Sequence, residues 1–144
     1  MNTPFGTPRY DSLQVGDHLP TLTMPAITRH ALAVYCGASG DHNPVHVDID
    51  FARASGLDDV IAHGMLVMSY TGRVITDWVP QSAIRALDTR FKAVTRIGDE
   101  LTVSAEVIEK REEDDGRRLV RMALEARDQH GEVKTAGHAL VELP

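Results

Sequence analysis

The chain has 144 residues, 42% of them apolar and 25% charged, with a net charge of −6 and a pI near 5.6. That length suits one domain over 1–144 and lets roughly 70% of the unfolded surface be buried, so a hydrophobic core is expected. The acidic balance excludes a nucleic-acid binder, because no basic field exists to neutralise phosphates. No apolar run approaches the roughly 20 residues that span a bilayer, and "MNTPFGTPRYDSL" lacks the basic-then-apolar order of a secretory signal. Cys36 is the single cysteine and cannot form an internal disulfide. A reducing, cytoplasmic setting without membrane contact is the expectation.

In chain order, "LPTLTMPAI" at 19–27 reads as an extended segment that Pro20 and Pro25 confine to a sheet edge. Thr28 is placed to cap a helix over about 29–38 that ends near Gly40. A short second helix over 48–55 is expected between the cap Asp48 and the stop Gly56. The longest helical candidate is Gly64–Val79, with Met65, Met68, Gly72, Ile75 and Val79 on one face. Leu66, Tyr70, Val74 and Trp78 widen that face, and a helix apolar around most of its girth is expected inside the domain. Pro80 stops it. Beyond Pro80 the apolar period changes to two, predicting strands at 84–94, 100–110, 118–128 and 133–142. "DDG" at 114–116 and "QHG" at 129–131 supply the turns of antiparallel hairpins, and "EKREEDDGRR" reads as a solvated hairpin tip. The predicted class is α+β, with a curved antiparallel sheet able to wrap one central helix.

The densest chemistry lies in "SGDHNPVHVD", 39–48, which admits three readings. Gly, Asp, Asn and Pro are the commonest turn-formers, so a plain surface turn is the first. A metal site is the second, since His42 and His46 are four apart and Asp41, Asp48 or His63 could complete it. Pro44 lies between the two histidines and opposes the regular helix that such spacing requires. The third is an acid–base pair: Asp41 and His46 stand five apart across a proline-stiffened turn that can aim both at one point. Histidine gives and takes protons near neutrality, and a neighbouring carboxylate takes the complementary role. Such a pair suits adding or removing water.

A second segment, "IAHGMLVMS" at 61–69, opens the long helix. Gly64 at its start exposes backbone N–H groups at the positive end of the helix dipole, suited to a carbonyl oxygen or simply to starting a helix. His63 reads as a packed or hydrogen-bonded structural histidine. Ser69 lies among apolar neighbours, so its hydroxyl is expected to have a partner, either a backbone carbonyl or Asp41. Arg90, Lys92 and Arg96 are either solvated cations or phosphate contacts.

Through Ser39, Gly40, Asp41, Asn43, Pro44, Val45, His46 and Asp48, and again through Ile61–Leu66, the sequence resembles the MaoC-like (R)-specific enoyl-thioester hydratase and dehydratase family. The resemblance implies a hot-dog fold, an antiparallel sheet wrapped around a long central helix. It implies a dimer joined sheet edge to sheet edge, as a homodimer, a dimer of dimers or a heterodimer, with acyl chains entering at the subunit interface. It makes Asp41 and His46 the catalytic pair, Gly64 N–H the donor to the thioester carbonyl, and Asn43 and Ser69 supporting residues. Family members act on CoA or acyl-carrier-protein thioesters without a metal or bound redox cofactor, which here implies reversible hydration of trans-2-enoyl to (R)-3-hydroxyacyl thioesters. Two alternatives stand beside it. A hot-dog thioesterase would need a carboxylate on the central helix, yet 64–76 holds none and Asp77 lies at the far end. A non-enzymatic acyl-CoA-binding or partner subunit would not need an intact Asp41/His46 pair.

Overall fold

The computed structural model describes residues 8–144. Its regular elements are β1 (Leu22–Thr23), α1 (Arg29–Ser39), α2 (Ile49–Ala54), α3 (Gly64–Thr76), β2 (Ile84–Phe91), β3 (Thr102–Glu112), β4 (Arg118–Arg127) and β5 (Val133–Glu142). The strands form one antiparallel sheet in the order β1-β3-β4-β5-β2. Period-two patterning explains its two faces. Val103, Ala105 and Val107 of β3 align with Ala126, Leu124 and Met122 of β4, and Met122 aligns with Ala139 of β5. All of these are buried and face α3, which packs across β3, β4, β5 and β2. The opposite face carries Glu106, Arg121, Asp88 and His138, as expected for a sheet solvated on one side. This is the hot-dog arrangement.

The local signals in the sequence act as anticipated at several points. The Thr28 hydroxyl accepts from Ala31 N at 3.0 Å, and α1 ends on Gly40 in the left-handed region at φ +75°. Asp48 caps α2 by accepting from Asp50 N and Phe51 N. The β3–β4 hairpin closes with Glu113 N donating to Arg117 O at 2.8 Å. In the β4–β5 turn the Asp128 carboxylate accepts from the backbone N–H of His130 and Glu132.

Other expectations need correction. The extended segment 19–27 does run along the edge of the sheet beside β3, with Leu19 N donating to Ala105 O at 3.0 Å, but only Leu22 and Thr23 form a regular ladder there. The strand expected to reach residue 94 ends at Phe91: Lys92 N and Ala93 N both turn onto Lys134 O. The second predicted strand lies two residues further along the chain, and β3 carries a register shift between Val107 and Glu109. The long helix stops at Thr76 rather than Val79. It is also not buried on all sides: Val67, Thr71, Val74 and Ile75 face the sheet, whereas Met65 is 56% exposed. The sheet covers only one side of α3, so the girth that reads as wholly internal is half outside.

Candidate active site

The turn after α1 is built from short-range hydrogen bonds. Ser39 Oγ accepts from Asp41 N (3.2 Å), and Asp41 Oδ1 accepts from Asn43 N (3.3 Å). Asn43 Oδ1 in turn accepts from Val45 N (3.1 Å), capping a single 3-10 turn over Pro44–His46. Proline at the first position of that turn supplies the required φ and has no N–H to leave unpaired. Asn43 therefore grips both partners, its N–H holding the Asp41 carboxylate and its side chain capping the turn that carries His46.

A second segment fixes the imidazole. Ile61 N donates to Val45 O (3.2 Å), and the Ile61 carbonyl lies 2.8 Å from His46 Nδ1. A carbonyl only accepts, so Nδ1 carries a proton, and in the neutral imidazole the Nε2 lone pair is free. Nε2 faces Asp41 Oδ2 across 3.9 Å, beyond hydrogen-bond reach. The His46 side chain is 12% exposed and that of Asp41 48%. The pair anticipated from spacing is thus brought together, at a separation that leaves two acceptors facing one another.

His63, only 1% exposed, donates from Nε2 to the Asp41 carbonyl at 3.2 Å. Its ring stacks on His46 with centroids 3.8 Å apart, and Tyr35 meets it edge-on at 4.8 Å. Burial lowers the His63 pKa, with the neighbouring His46 adding to that, so the ring is neutral near pH 7 and the bond to the Asp41 carbonyl only partly opposes the shift. The packed, hydrogen-bonded histidine expected here is what the structure contains. Asp41, His46 and His63 each bring one possible ligand atom within 4.8 Å of the others, whereas His42 is exposed and outside that group.

Beside His46 lies a cavity of about 380 Å³ bordered by Ala62, Gly64, Val67, Phe91 and Val94. Gly64 is the first residue of α3, and its N–H has no acceptor among the described residues. The Phe91 ring lies so close that a methyl on Gly64 would meet its Cε1 at 3.1 Å. Lys92 borders the same cavity, and with Arg90 it also lines a groove on the outer face of β2. Arg90, Lys92 and Arg96 are exposed and have no ion-pair partner among the described residues. Ser69 is not drawn in. It is exposed, and its hydroxyl donates to Leu66 O in its own helix at 2.6 Å, so the backbone carbonyl is its partner and Asp41 is not. The cavity wall contributed by Phe91, Val94 and Lys134 carries no signal in the sequence, since these positions read as ordinary strand and loop residues.

The MaoC-like domain family model matches residues 13–129. The chain belongs to the MaoC-like family. Among its MaoC-like relatives is the (R)-specific enoyl-CoA hydratase of Aeromonas caviae, 30% identical over 115 residues, covering 78% of this chain and 84% of that protein. A mitochondrial 3-hydroxyacyl-[acyl-carrier-protein] dehydratase of Arabidopsis thaliana is 30% identical over 133 residues, covering 92% of this chain and 78% of that protein. The unliganded R-hydratase PhaJ1 of Pseudomonas aeruginosa superimposes with a TM-score of 0.81 at 31% identity, over 94% of this chain and 85% of that structure. Relatives with these names are hydro-lyases, and the R-hydratase structure shares the hot-dog fold of this chain.

Proposed function

We propose that this MaoC-like protein catalyses reversible addition of water across a trans-2-enoyl thioester, giving the (R)-3-hydroxyacyl thioester. The observation that carries the reading is the 3.9 Å gap between His46 Nε2 and Asp41 Oδ2, both acceptors. A water donating one hydrogen to each satisfies both and is left with its oxygen lone pairs free to attack C3. The Gly64 N–H, beside His46 on the cavity wall, binds the thioester carbonyl and stabilises the enolate that forms as C3 is attacked. As the oxygen bonds to C3, one water proton passes to the Asp41/His46 pair and a proton from the pair is delivered to C2, which completes hydration and leaves the pair as it began; dehydration runs the same steps backwards. Asn43 holds the pair in register. No metal or redox cofactor enters this scheme, because water activation and enolate stabilisation are both assigned to residues of the chain.

The substrate is a CoA or acyl-carrier-protein thioester, and its phosphates are assigned to Lys92, which borders the cavity, with Arg90 and Arg96 near it in the chain. Exposed Met65, Phe91 and Val94 border or adjoin the site, which supports a dimer that covers this edge and completes the acyl tunnel. The whole chain acts as one catalytic domain in the cytoplasm. In a spectrophotometric assay with crotonyl-CoA-type substrates, Asp41→Asn or His46→Ala lowers kcat by about a thousandfold or more, with the dimer and its thermal unfolding retained. Near-wild-type turnover by either purified variant sinks the assignment, and an (S)-product on chiral analysis overturns its stereochemistry.

A further inference from the structure

The stretch from Lys92 to Asp99 joins β2 to β3 and walls the cavity, yet its only ladder contact is the bridge between Arg96 and Ile61. It is held from beneath by Lys134 of β5, whose side chain is 3% exposed. Lys134 Nζ donates to the Val94 carbonyl at 3.0 Å and pairs with Asp128 at 3.1 Å, Asp99 at 3.3 Å and Glu132. Lysine is almost never buried this fully unless paired. Burial lowers its pKa, but the hydrogen bonds to Glu132, Asp128 and Asp99 outweigh that and hold it above the ordinary value, so the cation is permanent.

This clamp grips the stretch twice. One grip is the Val94 carbonyl. The other is Asp99, whose Oδ2 also accepts from Arg96 N at 2.8 Å. Between the grips, Thr95 O accepts from Ala62 N at 2.9 Å, and Arg96 bridges Ile61. The Ile61 carbonyl is the group that accepts from His46 Nδ1.

We propose that Lys134 is a positioning residue for the reaction: by clamping Val94 and Asp99 it fixes the Ile61 carbonyl and so holds His46 as the Nδ1–H tautomer with Nε2 turned to Asp41. The proposal rests on the reading of His46 as a base, but the tautomer is measured without substrate. Nitrogen-15 NMR of the imidazoles in the full-length protein is expected to show the Nδ1–H form of His46 in the wild type and a tautomer mixture in Lys134→Met. The same variant is expected to lose about tenfold to a hundredfold in kcat with KM held within roughly twofold. Should Lys134→Met not fold, Asp99→Ala cuts the clamp at its other end while leaving Lys134 paired with Asp128 and Glu132, and it is expected to give the same two changes. A folded variant of either kind with the wild-type His46 tautomer overturns the proposal, as does one with altered tautomer and wild-type kcat. If the tautomer shifts but the wild type itself hydrates no enoyl thioester, the clamp stands and the assigned reaction fails.

Discussion

Replacing Gly64 by alanine separates its role as a helix start from its role as a donor to substrate. A methyl there would sit 3.1, 3.3 and 3.4 Å from Cε1, Cζ and Cδ1 of Phe91, so the ring must give by a few tenths of an ångström. Phe91 is 54% exposed and can yield, at about 0.5–1.5 kcal/mol for an off-rotamer side chain. Alanine regains up to about 1 kcal/mol of helix preference over glycine, less at a first helical residue. The two effects offset, and stability is expected to stay within about 1 kcal/mol of the wild type. Activity has no such compensation. The N–H survives, but the methyl stands on the cavity wall between that donor and the displaced ring, and a misplacement near 1 Å costs up to about a hundredfold. The expected loss in kcat/KM is therefore about tenfold to a hundredfold, or roughly 1.4–2.7 kcal/mol of transition-state stabilisation. Enoyl-thioester hydration followed by absorbance, with urea unfolding of the same preparation, reads both quantities. Wild-type kcat/KM would refute the donor role, because no substrate group would then approach Gly64. A stability loss above about 2 kcal/mol would refute the mobility assigned to Phe91.

Three further outcomes are expected. Gly137 faces β2 so closely that a Cβ would lie 2.0 Å from the Asp88 carbonyl oxygen, a backbone atom that cannot swing aside. Gly137→Ala is expected to cost about 2–3 kcal/mol in urea unfolding, and an unchanged midpoint contradicts the close approach of β2 and β5. Burial holds the His63 pKa below its ordinary value, so the neutral ring contributes stability that is full above about pH 6.5 and is lost as pH falls through the folded value. His63→Gln, whose amide can still donate to the Asp41 carbonyl, is expected to flatten the fall in unfolding free energy between about pH 7.5 and about pH 5.5, and an equal slope in both proteins counts against a buried neutral ring. Lys92→Ala is expected to raise KM for CoA thioesters by about tenfold with kcat kept, since a phosphate contact remote from the reacting carbons acts on binding alone. An unchanged KM leaves Lys92 a solvated cation.

What the sequence by itself determined was set by neighbours in the chain. Thr28 and Asp48 cap their helices because the N–H groups they satisfy lie two or three residues away. Asp41 and His46 are legible as a pair because a single turn, stiffened by Pro44 and held by Asn43, carries both. The hairpin turns at 114–116 and 129–131 are legible for the same reason. Contacts that close only when the sheet has formed were decided by the tertiary structure. The tautomer of His46 depends on Ile61, the seat of Asp41 depends on His63, and the wall opposite them depends on Lys134. Ser69 shows the limit from the other side, since sequence left its partner open and the helix supplied Leu66. The girth of α3 is a similar case: periodicity records which residues are apolar, but only the sheet's position decides that Val67 and Ile75 are inside and Met65 is not. A short-range hydrogen bond is specified by the residues that make it, whereas the meeting of segments far apart in sequence is specified by the packing of the whole chain.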